Sequence, residues 1–255
     1  SISGDRIASA EVSADAVDMG GLYAVPGLVD LHFHGCMGRD FCDGTHEAIS
    51  TLAKYQAQIG VAAICPATMT YPEDKLTQIA EAAATYQVES NDAALVGINM
   101  EGPYIAPDKV GAQNPAYVRS ASVEEYARLQ AAAHGLIKLV DVAPEQPGNL
   151  DFIHNVSHDV RVSVAHTCNA MPSLHHRDPG PIAAGAERND VTAEIIADGV
   201  HIHPAMVRLA FALFGDDRMI LISDSLRACG LGDGEYELGG QQFSVRGNRA
   251  TIANG

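Results

Sequence analysis

Short apolar, β-branched runs recur along this chain, with helix-like stretches between them. The runs are Leu28 to Phe33, Val61 to Cys65, Ala94 to Met100, Ile137 to Val142, Val160 to Ala165, Thr192 to Ala197 and Met219 to Ser223. The helical segments are Thr45 to Gln58, Pro72 to Tyr86, Val123 to Ala133 and Pro204 to Phe214. Neighbouring parallel strands need a crossover, usually a helix, so this alternation predicts a parallel α/β architecture. Thr70 is read as the cap of the second helix, because Pro72, Glu73 and Asp74 suit a first turn. Seven strands approach the eight of a (β/α)8 TIM-like barrel. One βα unit is missing near residue 167. There Ser163-Val-Ala-His-Thr167 reads as a strand end, yet it runs directly into the loop Cys168-Asn-Ala-Met-Pro172. A barrel unit takes roughly 25 to 35 residues, and no such length is present. Either residues are omitted from the sequence near Thr167, or a deletion leaves an open sheet with an exposed edge.

Polar residues stand at the C-terminal ends of these strands, where the active site of a barrel forms. His32 and His34 follow the first run in Pro26-Gly-Leu-Val-Asp-Leu-His-Phe-His-Gly35. Side chains alternate along a strand, so the two imidazoles point the same way and make half of a metal site. Glu101 ends the third run, where Gly102 and Pro103 turn the chain, and supplies a hard oxygen ligand. His166 ends the fifth run. Asp224 ends the last, placed to take a proton from a bound water and return it to a leaving group. Each residue alone has a plainer alternative: a hydrogen-bonded core histidine, a salt-bridging glutamate, a turn aspartate. Their recurrence on one rim favours the metal reading.

Two further segments are polar. His175-His-Arg-Asp-Pro-Gly180 carries Arg177, whose planar fork suits a phosphate, although a solvated loop would look the same. His201-Ile-His203 either contacts substrate or caps the following helix. Neither a phosphate-binding loop, a nucleophile elbow nor a dinucleotide fingerprint occurs, so no cofactor beyond a metal is signalled. A net charge of -16 argues against nucleic acid, which requires a basic footprint. A small anionic substrate remains compatible, because one arginine can bind it locally. The five cysteines have no zinc-type spacing and an odd count, which fits a reduced, cytoplasmic setting. No uninterrupted apolar run of about 18 residues is present to span a membrane.

The two ends of the chain differ from the middle. Ile2 to Met19 and Tyr236 to Ile252 alternate in polarity, and Gly239-Gly240 and Gly247-Asn248 read as hairpin turns. The expected division is a small β-sandwich domain built from 1–24 and 226–255, around a hydrolase barrel over 25–225.

In these motifs the chain resembles the amidohydrolase superfamily and, within it, the N-acetylglucosamine-6-phosphate deacetylases. The resemblance rests on Pro26 to Gly35, Met100-Glu-Gly-Pro-Tyr104, Gly111-Ala-Gln-Asn-Pro115, Ala143-Pro-Glu145, Asn169-Ala-Met171, His176-Arg-Asp-Pro-Gly180, Ile196-Ala-Asp-Gly-Val-His201 and Ser223-Asp224, in the family's order. It implies a divalent metal, zinc first and iron or another ion as alternatives, with one or two ions bound. Glu101 and His166 match metal ligands, and His32 and His34 match the pair that supports a second metal. Asp224 matches the catalytic aspartate. Ala112, Asn169 and Ala170 fall at substrate contacts, His201 at a sugar contact, and Arg177 at a phosphate contact that a neighbouring subunit often supplies, which implies a homodimer. Gln113 stands where the family commonly has a carbonyl-polarising histidine, and its amide can still donate a hydrogen bond. His166 aligns with either of two family histidines, so one ligand has no counterpart here. The resemblance also implies that both ends belong to a longer family chain.

The implied reaction is hydrolysis of N-acetylglucosamine 6-phosphate to glucosamine 6-phosphate and acetate. Alternatives are another N-acetylated sugar phosphate, such as N-acetylgalactosamine 6-phosphate, or a degenerate member that binds sugar phosphate without catalysis. A ring-opening amidohydrolase is disfavoured, because Val142 to Glu145 contains no lysine.

Overall fold

The computed structural model describes residues 2–3, 6–7, 20–163, 165–169 and 171–252. Most of the expected N-terminal strands, and Ala170, lie outside the described residues. The chain is mixed α/β. Its parallel pairings join β3 (Leu28–Asp30) to β6 (Val61–Ile64) and β6 to β7 (Ala94–Leu95). A second parallel set joins β8 (Ile98–Glu101), β9 (Ile137–Asp141) and β10 (Arg161–Ser163). A third pairs β11 (Ala193–Ile196) with β12 (Met219–Ile222). Two short antiparallel ribbons are β1 (Ile2–Ser3) with β2 (Arg6–Ile7) and β4 (Gly35–Cys36) with β5 (Arg39–Asp40).

The run expected as one strand over Ala94 to Met100 is broken. β7 pairs with β6, and β8 pairs with β9. Gly97 stands at the switch, where a Cβ would lie 2.6 Å from Lys138 Cγ and 3.0 Å from Cys65 Sγ, so a side chain there would collide with these two residues. A parallel bridge from Ala67 to Asn99 still ties the two sets together.

Helices cover the strands. α1 (His46–Gln58) buries Ile49, Leu52, Ala53 and Gln56, a stripe at helical spacing, and Thr45 caps it by accepting from the Ala48 N–H at 3.2 Å. α2 (Glu73–Thr85) starts two residues later than a Thr70 cap requires. Pro72 is its N-cap and Thr70 is not. The Thr70 N–H instead donates to Gln113 Oε1 at 2.6 Å. α3 (Val123–Ala132) follows the expected segment, and α4 (Asn149–Val156) and α5 (Gly180–Ala186) are additional. α6 (Pro204–Phe214) is capped by His203, whose Nδ1 accepts from the Ala205 N–H, rather than by His201. One apolar cluster centres on Phe33, Phe41, Leu52, Ile64 and Tyr104. A second packs Ile182, Ala210 and Phe214 on Ile195 and Met219.

β13 (Gly234–Leu238), β14 (Gln241–Arg246) and β15 (Arg249–Ile252) form an antiparallel meander. Its two-residue turns are Gly239-Gly240 and Gly247-Asn248, as expected, with the three glycines at φ between 58° and 83°.

The end of β12 is fastened to the first strand. The Asp224 N–H donates to the His32 carbonyl at 2.9 Å. Asp30, 6% exposed, accepts from the His32 N–H at 3.3 Å, the Ser223 N–H at 3.4 Å and the Ser223 hydroxyl. Asp30→Ala strips these donors of their acceptor. It is expected to lower stability by about 3 kcal/mol in urea unfolding, and unchanged stability would contradict this role for the clasp.

Candidate active site

Strand ends deliver the site. His32 and His34 leave the end of β3, Glu101 ends β8, Asp224 follows β12, and His166 follows β10. The expected single direction for His32 and His34 holds: their ring centroids are 5.7 Å apart and both approach one oxygen of Glu101. His34 Nε2 is 3.1 Å from Glu101 Oε2 and 3.4 Å from Asp224 Oδ1. His166 Nε2 is 3.2 Å from Asp224 Oδ2 and 3.6 Å from Glu101 Oε1. His166 and Asp224 both take positive φ, 55° and 46°, an uncommon conformation for residues other than glycine and one found at functional sites.

Electrostatics explains the proton distribution. Burial alone would lower all three imidazoles. The carboxylates outweigh it: Glu101 and Glu194 raise His32 well above its ordinary value, Asp224 and Glu101 push His34 up to about 10, and Asp224 raises His166. Burial would likewise raise the partner acids. Instead His32 and His34 hold Glu101 low, and His166 and His34 hold Asp224 well below the carboxylate range. For Asp141 the balance is reversed, although His32, 3.8 Å away, and His166 act to lower it. Burial and the nearby Glu194 push it well up.

These residues fit a divalent cation. His32, His34 and Glu101 place donor atoms within 4.8 Å of one another, and so do His32, His166 and Asp224. His32 Nε2, His34 Nδ1, Asp224 Oδ1 and both oxygens of Asp141 are buried without a hydrogen-bond partner. Buried acceptors and carboxylates left in that state are what a cation satisfies. Imidazole and carboxylate together suit zinc or iron.

The site opens into a cavity of about 1260 Å³. Ala112, Gln113, Asn169 and His201 line it with the cluster, whereas exposed Arg177 does not. His201 is paired with Asp198 at 2.7 Å. Gln113 is engaged at both ends of its amide: Nε2 donates to Glu101 Oε2 at 2.7 Å while Oε1 accepts from Thr70. Three acids escaped the sequence reading. Asp30, Asp141 and Glu194 stand inside apolar runs rather than after them, and a charge within such a run was the available signal.

Parallel strands that bring histidine and carboxylate donors into one cavity place the chain among candidates for a metal-dependent hydrolase of the amidohydrolase type. No protein-family model matches the chain. The N-acetylglucosamine-6-phosphate deacetylase of Bacillus subtilis (strain 168) is 33% identical over 257 residues, 91% of this chain and 65% of that protein. The N-acetylgalactosamine-6-phosphate deacetylase of Escherichia coli O157:H7 is 31% identical over 90% of this chain and 67% of its own length. Among solved structures, N-acetyl-D-glucosamine-6-phosphate deacetylase from Mycobacterium smegmatis, in complex with N-acetyl-D-glucosamine-6-phosphate, superposes with TM-score 0.91 at 28% identity, over all of this chain and 73% of that one. The chain belongs to the N-acetylglucosamine-6-phosphate deacetylase family, and it spans about two thirds of the length of the curated relatives it matches.

Metal uptake is expected to release protons. Metal binding needs neutral imidazole, and in the metal-free protein His34 keeps its proton up to about pH 10. Zinc affinity should therefore rise with pH from 6 to 9. Titration calorimetry in buffers of different ionisation enthalpy should register at least one proton released at pH 7.5. A pH-independent affinity would contradict the ion-paired cluster.

Proposed function

We propose that the chain deacetylates N-acetylglucosamine 6-phosphate, giving glucosamine 6-phosphate and acetate. The observation that carries this is the convergence of Glu101, His34, His166 and Asp224, each carboxylate lying 3.1 to 3.6 Å from both imidazoles, on the lining of a cavity of about 1260 Å³ with ample room for a sugar phosphate. Glu101 and His166, with His32 and His34 as the further donors, would hold the ion. Zinc or iron bound there supplies Lewis-acid polarisation of the acetyl carbonyl and lowers the pKa of water. Asp224, held ionised by its histidine neighbours, accepts the proton of the attacking water and returns it to the leaving nitrogen. Gln113 keeps one oxygen of Glu101 hydrogen-bonded and has a second N–H for the developing oxyanion. Ala112, Asn169, Ala170 and His201 would border the sugar. Arg177, exposed and away from the cavity, is in keeping with a phosphate contact made across a homodimer.

The same reading takes the parallel strands as the wall of a (β/α)8 barrel short of one unit near residue 167. The links from Asp224 and Ser223 to the first strand support closure on that side. The antiparallel meander within 226–255 supports a small β-domain shared with 1–24, outside a barrel over 25–225. A cytoplasmic, soluble setting completes the proposal.

The test measures acetate release from N-acetylglucosamine 6-phosphate and N-acetylgalactosamine 6-phosphate side by side. Asp224→Asn should lower the rate by about 10²–10⁴-fold. Turnover of only the galactosamine compound would shift the substrate. Near wild-type turnover by Asp224→Asn would sink the mechanism.

A further inference from the structure

Glu194 belongs to none of the motifs that mark the family likeness, yet it is among the most buried acids in the chain, at 1% exposed in the middle of β11. Each part of it is engaged. One carboxylate oxygen accepts from the Ser163 hydroxyl at the end of β10. The other lies 2.9 Å from His32 Nδ1. Its backbone carbonyl accepts from the Thr167 N–H at 2.9 Å, one residue beyond His166.

We infer that Glu194 is a positioning residue that holds His32 in the tautomer carrying its proton on Nδ1, so that Nε2 is presented to the donor cluster. This inference rests on the metal-site reading above. A carboxylate accepts and does not donate, so a contact at this distance puts the proton on Nδ1. Asn99 Nδ2 also lies 3.1 Å from Nδ1. It already donates to the Leu31 carbonyl, and a bare Nδ1 lone pair would face an anionic oxygen at 2.9 Å. With Nδ1 committed, Nε2 is the ring atom that is buried, unpartnered and aimed at Glu101 and Asp224, at 3.8 and 4.0 Å. A carboxylate on the far nitrogen of a ligating imidazole fixes its orientation and raises its basicity, and loss of such a partner typically weakens metal affinity 10–100-fold. Through Thr167, the same residue anchors the short segment that carries His166, so one buried glutamate braces two imidazoles of the cluster.

The experiment uses the chain stripped with chelator and titrated with zinc against a chromogenic competitor, with ions per chain counted by elemental analysis. Glu194→Gln is isosteric and can still accept from Ser163. It should weaken zinc binding at least 10-fold. In a His32→Ala background the same substitution should add no further loss. Equal losses in both backgrounds would mark Glu194 as merely structural and overturn the inference, as would wild-type affinity in Glu194→Gln. A readout that needs no variant is long-range ¹H–¹⁵N NMR of the zinc-loaded, ¹⁵N-histidine-labelled chain. His32 should show a protonated Nδ1 and an unprotonated Nε2, and the reverse would also overturn it. Wild-type chain that takes up no zinc would remove the metal site and this inference together, whereas zinc uptake unaffected by Glu194→Gln would remove this inference alone.

Discussion

His32 is buried among four carboxylates that reach it from four parts of the strand array. Its Nδ1 lies 2.9 Å from Glu194 and 3.8 Å from Asp141, and its Nε2 lies 3.8 Å from Glu101 and 4.0 Å from Asp224. An imidazole in this place cannot be exchanged for an apolar side chain without stranding acids in a low-dielectric interior, where an unpaired charge costs several kcal/mol. The requirement works outward. To keep these acids together, the ends of β8 and β9, the body of β11 and the residues after β12 must meet around the turn that follows β3. Asp30 and the backbone of Asp224 then fasten that turn to the far side.

The same crowding of charge separates what each acid can do. Asp224 and Glu101 face imidazoles and stay ionised, which suits a base and a ligand. Asp141 is pushed well up by burial and by the nearby Glu194, even with His32 and His166 close by. Carboxylates that are near neighbours are thus shifted in opposite directions by their surroundings.

How much of this was legible in the sequence depends on whether the signal was local. α1, α2, α3 and α6 came within one or two residues of their observed bounds, because a buried stripe at helical spacing is contained within one segment. The meander was legible for the same reason, since its glycine turns lie between alternating runs. α5 was not: Gly-Pro-Ile-Ala-Ala-Gly-Ala has weak helical propensity, and it is Ile182 packing in the cluster with Phe214 that gives it a face to bury. The β4–β5 hairpin was missed because it is two residues on each side, set by positive φ at Met37 and Gly38. The strand-end residues His32, His34, Glu101, His166 and Asp224 were legible by position. Glu194 reaches His32 across 162 residues, a contact that no window of sequence contains.

The abrupt join near residue 167 can now be placed in physical terms. β10 and β11 are not hydrogen-bonded neighbours. Across that seam run the Thr167 N–H to the Glu194 carbonyl and the Ser163 hydroxyl to the Glu194 carboxylate. The seam therefore closes on a single residue rather than on a strand, and His166 is carried into the site by a tight turn, with His166 and Cys168 both at positive φ. The two donor groups among the described residues both draw on His32, whose Nδ1 is committed to Glu194 and whose Nε2 has one lone pair. That lone pair can serve one ion at a time, so the two groups cannot both be filled through His32. The orientation of this one imidazole therefore governs what the site can hold.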